Sequence, residues 1–198
     1  MKQPQHEKYD TKNPIAIKMI QGFMNSIDDL VAQINDPIQN ITECGCGQGH
    51  VNQRLERLFP DAKIKGFDIN PKEVAIAEQN KHHEKTQLYV KSIYDVGDQE
   101  QADLVVCCEV LEHLEHPELA LKKMRELKAK YYLFSVPNEP LWRILNFMRG
   151  KYMRDWGNTP DHCNHWSTRG FKTFVSQQLS VKSVNRPIPW TMVLATPK

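Results

Sequence analysis

The chain has 198 residues, and its 26 Lys plus Arg nearly balance its 24 Asp plus Glu, which leaves a net charge of +2. This length suits one compact domain, and a charge so close to neutral disfavours a nucleic-acid-binding protein, which would carry a basic stripe. No run of 18 apolar residues occurs, and the polar opening MKQPQHEKYDTKNP lacks the apolar segment of a secretory signal. A cytoplasmic protein is therefore expected, with its five cysteines as reduced thiols rather than a disulfide framework.

The first 35 residues predict a helical arm. After Asn13-Pro14, apolar residues recur every three or four positions from Ile15 to Leu30, which is the spacing of one helix face. From residue 36 onward, strand-like and helix-like segments alternate, a pattern typical of a parallel sheet with crossover helices. Strands are expected near 38–44, 62–68, 86–91, 102–108, 130–136, 180–185 and 190–196.

Residues 138–166 differ in composition from the rest of the chain. They are rich in proline and glycine and contain three of the four tryptophans. We interpret them as a lid inserted after the fifth strand of a single domain spanning 1–198. Within the lid, segment 141–156 interleaves large apolar side chains with four basic ones, which suits a lipophilic acceptor and peripheral contact with a membrane surface.

A glycine-rich turn joins the first expected strand to the first crossover helix. Its sequence, ECGCGQG over 43–49, lets a ligand approach the backbone and aims helix N-terminal N–H groups at it. A dinucleotide fingerprint counted from Gly45 needs a third glycine where this chain has His50, so a pyrophosphate ligand is disfavoured. Asp68, at the end of the second strand, is placed to accept hydrogen bonds from both ribose hydroxyls of an adenosine. Adenosine without pyrophosphate suggests S-adenosylmethionine.

Three motifs in this order resemble those of the class I S-adenosylmethionine-dependent methyltransferases, in particular the ubiquinone-biosynthesis O-methyltransferase type. They are the ECGCGQG turn, the strand that ends at Asp68, and ADLVVCCEVLEHL over 102–114. The resemblance runs from about 38 to 136 and implies a Rossmann-like α/β fold, with a mostly parallel sheet of seven strands and helices on both faces. It also implies S-adenosylmethionine as the cofactor. The residues that it places around the cofactor are Glu43, Gly45, Cys46, Gly47, Gly49, Asp68, Ile69, Ser92, Ile93, Cys108 and Glu109.

Within that set, the resemblance implies that Glu43 and the glycines bracket the methionine moiety, that Asp68 binds the ribose and that Ile69 packs on the adenine. Many relatives carry an Asp after the third strand to meet the adenine amino group, whereas this chain has Ser92-Ile93 there. The glycine turn and Asp68 can also be interpreted as structural features that bind no ligand. Glycine-rich turns occur in many doubly wound folds for packing alone, and Asp68 could cap the following helix.

The acceptor side of the site is expected at the carboxyl edge of the sheet, where ligands bind in open α/β folds. Transfer of a methyl group from a sulfonium to a hydroxyl requires alignment of the two groups and removal of a proton. Glu109 and His113 follow the fourth strand, and His162 and His165 come from the expected lid. These four residues are the catalytic candidates.

The E-x-x-E-H motif with a distant histidine also resembles metal-dependent O-methyltransferases. In that interpretation Glu109, Glu112, His113 and His162 bind Mg²⁺ or another divalent cation, which lowers the pKa of the acceptor hydroxyl. The first three of these residues converge if the chain there is helical, because residues three or four apart share a helix face. The alternative has no metal: a glutamate faces the cofactor and a histidine faces the acceptor.

Together these features predict an S-adenosylmethionine-dependent methyltransferase that O-methylates a small acceptor, lipophilic or quinone- or phenol-like. Two alternatives remain open. The first is metal-dependent 2′-O-methylation of RNA ends, which the low net charge disfavours. The second is a non-catalytic partner protein that binds S-adenosylmethionine. The sequence leaves the identity of the acceptor and the oligomeric state undetermined.

Overall fold

The computed structural model describes residues 11–148, 159 and 162–198. Helices and strands alternate along most of this chain, and three short 3₁₀ turns lie between them. In chain order the elements are α1 (Pro14–Val31), β1 (Asn40–Cys44), α2 (His50–Leu58), β2 (Lys63–Asp68), α3 (Pro71–Asn80), β3 (Thr86–Val90), β4 (Leu104–Cys108), α4 (Pro117–Glu126), β5 (Tyr131–Pro137), α5 (Glu139–Met148), α6 (Thr168–Ser176), β6 (Leu179–Asn185) and β7 (Trp190–Pro197).

The seven strands form one sheet in the order β3-β2-β1-β4-β5-β7-β6. The first five strands pair in parallel, whereas β7 enters antiparallel between β5 and β6. The order reverses at β1, so the carboxyl ends of β1 and β4 flank the crevice in which open α/β sheets bind ligands. The expected Rossmann-like fold and all seven expected strands are confirmed.

Local sequence signals explain where the helices begin. The side chain of Asn13 caps α1 by accepting from the N–H groups of Ile15 and Ala16, and Asn70 caps α3 in the same way at Lys72. A proline follows each cap, at the first helical position, where its missing N–H removes no helical hydrogen bond.

Two apolar layers cover the faces of the sheet. On one face, Phe23 and Ile27 of α1 pack in a buried cluster with Trp190 and Met192 of β7, so the N-terminal arm completes the core. On the other face, α4 and α6 bury residues such as Phe171 against the sheet. All five cysteines are free thiols, and the four in or beside strands β1 and β4 are buried, as expected for reduced residues.

Helix α5 occupies the start of the segment that the sequence assigns to a lid. The two ends of this segment lie together, because Asn138 and Trp166 form a β-bridge and the backbone N–H of Glu139 donates to the carbonyl of Trp166 at 3.1 Å. Residues 149–158, 160 and 161 lie outside the described residues, so the lid and the extent of the domain stay predictions. Among the described residues, no helix is both long and apolar enough to span a bilayer.

Candidate active site

The glycine turn between β1 and α2 is held over the end of β2. Gly45, Gly47 and Gly49 all have φ angles in the left-handed region, at 77°, 49° and 84°. The N–H groups of Gly45 and Cys46 donate to the carbonyl oxygen of Phe67 at 2.8 and 2.9 Å. A side chain at any of the three glycines would therefore strain the backbone.

The three glycines differ in what surrounds them. A Cβ atom at Gly45 would collide with Cγ2 of Val110, and one at Gly49 would press on Ala77 at 3.3 Å. A Cβ at Gly47, in contrast, would meet no described heavy atom within 4 Å. Gly45 and Gly49 thus serve close packing, whereas Gly47 borders open space at the carboxyl edge of the sheet.

Asp68 lies directly beside that space. Its carboxylate accepts from the N–H of Gly47 at 3.0 Å and from the N–H of Asn70 at 2.8 Å. The next residue, Ile69, is 72% exposed, so its side chain is open to a ligand. Gly47, Asp68 and Ile69 thus adjoin one another at this edge of the sheet, and their role in binding a cofactor stays a prediction.

Other residues of the predicted cofactor set are engaged within the protein. The Ser92 hydroxyl caps a 3₁₀ turn by accepting from the N–H of Tyr94 at 3.3 Å, and Ile93 is buried in the core. Cys46 and Cys108 are buried, and burial raises the pKa of the Cys46 thiol. A thiol of raised pKa is neutral at physiological pH, so Cys46 contributes shape rather than charge.

Glu43 is a buried acid at the end of β1, 2% exposed. Burial raises the pKa of its carboxyl group to about 8, the nearby side-chain amide of Asn52 partly opposes this rise, and the charges of Asp68 and Glu56 add to it. Glu43 is therefore mostly protonated at neutral pH.

Glu109, the first residue after β4, has a positive φ of 60°, a strained conformation for a residue other than glycine. The hydroxyl of Ser135 donates to its Oε1 at 3.0 Å, and the indole N–H of Trp190 donates to its Oε2 at 2.6 Å. The 3₁₀ turn that follows starts only at Leu111, so the helical spacing expected from 109 onward is wrong. Glu109 therefore does not share one face with Glu112 and His113.

A carboxylate and two imidazoles meet at the same edge of the sheet. Glu112, His113 and His162 each offer one ligand or proton-accepting atom, and these atoms lie within 4.8 Å of one another. The rings of His113 and His162 meet edge to face, with centroids 5.0 Å apart. Three of the four predicted metal ligands are thus brought together, while Glu109 is not part of the group.

Glu139 and His165 form a second group that shares His162. The Nδ1 atoms of His162 and His165 lie 2.7 and 3.3 Å from Oε1 of Glu139. Burial alone raises the pKa of Glu139, but hydrogen bonds from the two imidazoles outweigh it and hold that pKa below its ordinary value. Glu139 is therefore an ionised carboxylate in the interior.

The segment that carries His162 is anchored on the turn after β4. The side-chain amide of Asn164 donates to the carbonyls of Leu111 and Leu114, at 3.2 and 2.6 Å. The N–H groups of Cys163 and Asn164 donate to the carbonyl of Glu112. His162 thus lies against the turn that contains Glu112, although the two residues are 50 positions apart in the chain.

Sequence reasoning missed three residues that build this site: Ser135, Glu139 and Asn164. It also missed the contact between Trp190 and Glu109. One of the three residues had a usable signal. Glu139 is an acidic residue two positions after the end of β5, at the same sheet edge where Glu109 follows β4. The others act through contacts between distant elements, which residue spacing does not encode.

Comparisons with known proteins agree with this architecture. The family model described as a methyltransferase domain matches residues 18–178. The mitochondrial ubiquinone biosynthesis O-methyltransferase of Candida albicans is 27% identical over 133 residues, covering 61% of this chain and 41% of the relative. A malonyl-[acyl-carrier protein] O-methyltransferase of Bacillus anthracis is 28% identical over 98 residues, covering 50% of this chain and 36% of the relative. The chain thus matches about two fifths of the length of these curated relatives.

Solved structures share the fold at low sequence identity. The magnesium protoporphyrin IX methyltransferase of Synechocystis, with bound S-adenosylhomocysteine, has a TM-score of 0.70 at 16% identity and covers 94% of this chain and 88% of that one. The PH0226 protein of Pyrococcus horikoshii has a TM-score of 0.73 at 12% identity, with coverage of 97% and 95%. Since the family model spans most of the sequence and the sheet has the expected order, the chain belongs to the methyltransferase domain family and to its class I S-adenosylmethionine-dependent members.

Proposed function

We propose that this chain is an S-adenosylmethionine-dependent methyltransferase that transfers a methyl group to an oxygen atom of a small acceptor. The observation that carries this proposal is the cluster of Glu112, His113 and His162 at the same sheet edge as the glycine turn. A hydroxyl acceptor needs a group that takes its proton, and imidazole suits that role near neutral pH. A carboxylate acceptor is already ionised and needs no such group.

The cofactor is proposed to lie over the glycine turn. Open space at Gly47, the carboxylate of Asp68 and the exposed side chain of Ile69 adjoin one another, which supports binding of a ribose and an adenine there. When the cofactor binds, its ribose hydroxyls would compete with the backbone N–H groups of Gly47 and Asn70 for hydrogen bonds to the Asp68 carboxylate. The remaining residues inferred from the family resemblance, from Glu43 to Glu109, stay part of this proposal.

In the proposed reaction, the acceptor oxygen attacks the methyl carbon of the sulfonium in line with the carbon–sulfur bond. The new oxygen–carbon bond forms as the carbon–sulfur bond breaks, and the sulfur keeps the electron pair as a neutral thioether. The hydroxyl proton passes to an imidazole nitrogen, for which we propose His162. Its side chain is only 5% exposed, so bulk water competes little for this nitrogen.

A divalent cation is the alternative way to activate the hydroxyl. Three ligand atoms within 4.8 Å of one another favour it: Glu112, His113 and His162 would hold the ion. When bound, such a cation would lower the pKa of the acceptor hydroxyl. The fourth expected ligand, Glu109, is instead engaged by Ser135 and Trp190, so the predicted set of four is not assembled.

The outer face of α5 supports a lipophilic acceptor taken from a membrane surface. Trp142 points towards His162, whereas Ile144 and Phe147 on another face of the same helix are 55% and 44% exposed. Apolar side chains that a helix exposes to solvent, such as these two on α5, are suited to the boundary between water and lipid acyl chains. We include this peripheral contact in the proposal.

The test combines binding with turnover. Calorimetry should show binding of S-adenosylhomocysteine, and release of S-adenosylhomocysteine should be measured with three acceptor sets: phenols and catechols, small carboxylic acids, and short RNA. Turnover with phenols or catechols is expected, and His162→Ala should abolish it while cofactor binding persists. Absence of cofactor binding would refute the methyltransferase proposal, and turnover with RNA alone would refute the small acceptor.

A further inference from the structure

Glu139 occupies an unusual position for an acidic side chain. It is the first residue of α5, two positions after the end of β5, and its side chain is only 5% exposed. One carboxylate oxygen lies 2.7 Å from Nδ1 of His162, and the other lies 4.0 Å from Nε of Arg143 on the next helical turn. A buried charge is costly unless it is paired, so these contacts define what the carboxylate does.

The His162 ring is restrained on three sides. Glu139 contacts its Nδ1 atom, and Trp142, one turn further along α5, lies nearly parallel to the ring at a centroid distance of 6.1 Å. His113 meets it edge to face from the turn after β4. Trp142 is itself fixed, because its indole N–H donates to the hydroxyl of Thr159 at 2.9 Å. Helix α5 thus supplies two of the three restraints.

The contact with Glu139 also selects a tautomer. An ionised carboxylate only accepts hydrogen bonds, so Nδ1 of His162 must carry the proton in the 2.7 Å contact. In a neutral ring the Nε2 atom then has a free lone pair. Only this tautomer has Nε2 ready to take a proton, and a carboxylate behind a histidine stabilises the imidazolium that results.

We propose that Glu139 is a positioning residue that holds His162 in the tautomer protonated at Nδ1, so that Nε2 serves the acceptor. The inference deepens the proposed function and rests on it for the role of Nε2. The tautomer itself is independent of any acceptor or cofactor. Glu139 touches neither reacting group, and it acts through His162.

The decisive measurement is long-range proton–nitrogen NMR of the ¹⁵N-histidine-labelled protein, in which protonated and unprotonated ring nitrogens give separate signals. The signals of His162 are identified as those that disappear in the His162→Gln variant. In the wild type, the His162 signals should show a protonated Nδ1 and an unprotonated Nε2. In Glu139→Leu, the proton should move to Nε2. A wild-type ring protonated only at Nε2 overturns the proposal even if the Leu variant does not fold, and so does a Leu variant that keeps the wild-type pattern.

A matched control shows whether the change in the His162 signals is specific to Glu139 or follows from removing any glutamate that contacts a histidine. Glu118 pairs with His116 at 3.4 Å through the same two atom types, but both side chains are largely exposed. Glu118→Leu should leave the His162 signals and turnover unchanged. Altered His162 signals in this control would overturn the specific role of Glu139.

Turnover provides the second readout once an acceptor is found. Glu139→Leu should lower kcat about 10- to 100-fold, the usual effect of losing a partner that orients a functional histidine. KM for the cofactor should stay unchanged, because Glu139 lies outside the proposed cofactor site. Glu139→Gln, which keeps an acceptor oxygen but no charge, should recover only part of kcat, because it can hold the tautomer but does not stabilise the imidazolium. An unchanged kcat in the Leu variant contradicts the positioning role, whereas the NMR result stands even if the proposed methyltransferase activity fails.

Discussion

The buried acid Glu43 predicts a specific pH dependence of protein stability. Burial and the charges of Asp68 and Glu56 raise the pKa of its carboxyl group from 4.5 to about 8. An unfolded chain releases this proton near pH 4.5, whereas the folded protein keeps it until about pH 8. Between these values the folded state binds one more proton than the unfolded state, so the free energy of unfolding falls as the pH rises.

The size of the effect follows from the same pKa difference. Each pH unit within the window lowers the free energy of unfolding by about 1.4 kcal/mol, and the whole window by at most about 5 kcal/mol. That is a large part of the stability of a typical domain, about 5–15 kcal/mol. Glu43→Gln places a neutral amide where the wild type keeps a protonated acid, so the variant should lack this dependence. It should match the wild type near pH 5 and exceed it in stability at about pH 8.

Urea denaturation followed by tryptophan fluorescence, at several values between about pH 5 and pH 8, measures this difference. All other titratable groups are common to the two proteins, so their contributions cancel in the comparison. The exposed acid Glu118 provides the control, because Glu118→Gln should leave the wild-type pH dependence unchanged. Parallel curves for Glu43→Gln and the wild type would refute the claim that Glu43 is protonated in the folded protein.

Three further predictions concern the proposed site. Gly47→Ala should abolish binding of S-adenosylhomocysteine in calorimetry, because the alanine side chain would enter the open space proposed for the cofactor. Gly97→Ala is the control and should bind normally, since a Cβ there also meets no described atom within 4 Å. Asp68→Asn should weaken binding by about 1.5–3 kcal/mol through loss of charge-assisted hydrogen bonds, and unchanged affinity would remove the ribose assignment. Turnover should survive a chelator, since we propose that His162 takes the proton; loss of turnover with recovery in Mg²⁺ or Mn²⁺ would favour the cation instead.

Much of the fold could be predicted from sequence because its signals are local. The alternation of apolar runs with helical spacing marks the seven strands and their crossovers, and Asn70-Pro71 marks a helix start through a cap and a missing N–H. The glycine turn belongs to the same class, since left-handed φ angles at three positions in five residues require glycine. Asp68 could be placed beside it because parallel strands end at one edge of the sheet.

The acceptor side depended on the tertiary structure. Spacing groups Glu109 with Glu112 and His113, yet Glu109 is drawn to Trp190, 81 positions later, because β7 inserts antiparallel beside β5 and brings its first residue to that edge. Glu139 reaches His162 because α5 and the segment after it fold back onto the turn following β4. The sequence by itself placed the glycine turn, Asp68 and the segment 109–113 at the carboxyl edge of the sheet, because each directly follows a predicted strand. Only the tertiary structure decided which of them meet, since contacts between distant elements depend on strand order rather than on residue spacing.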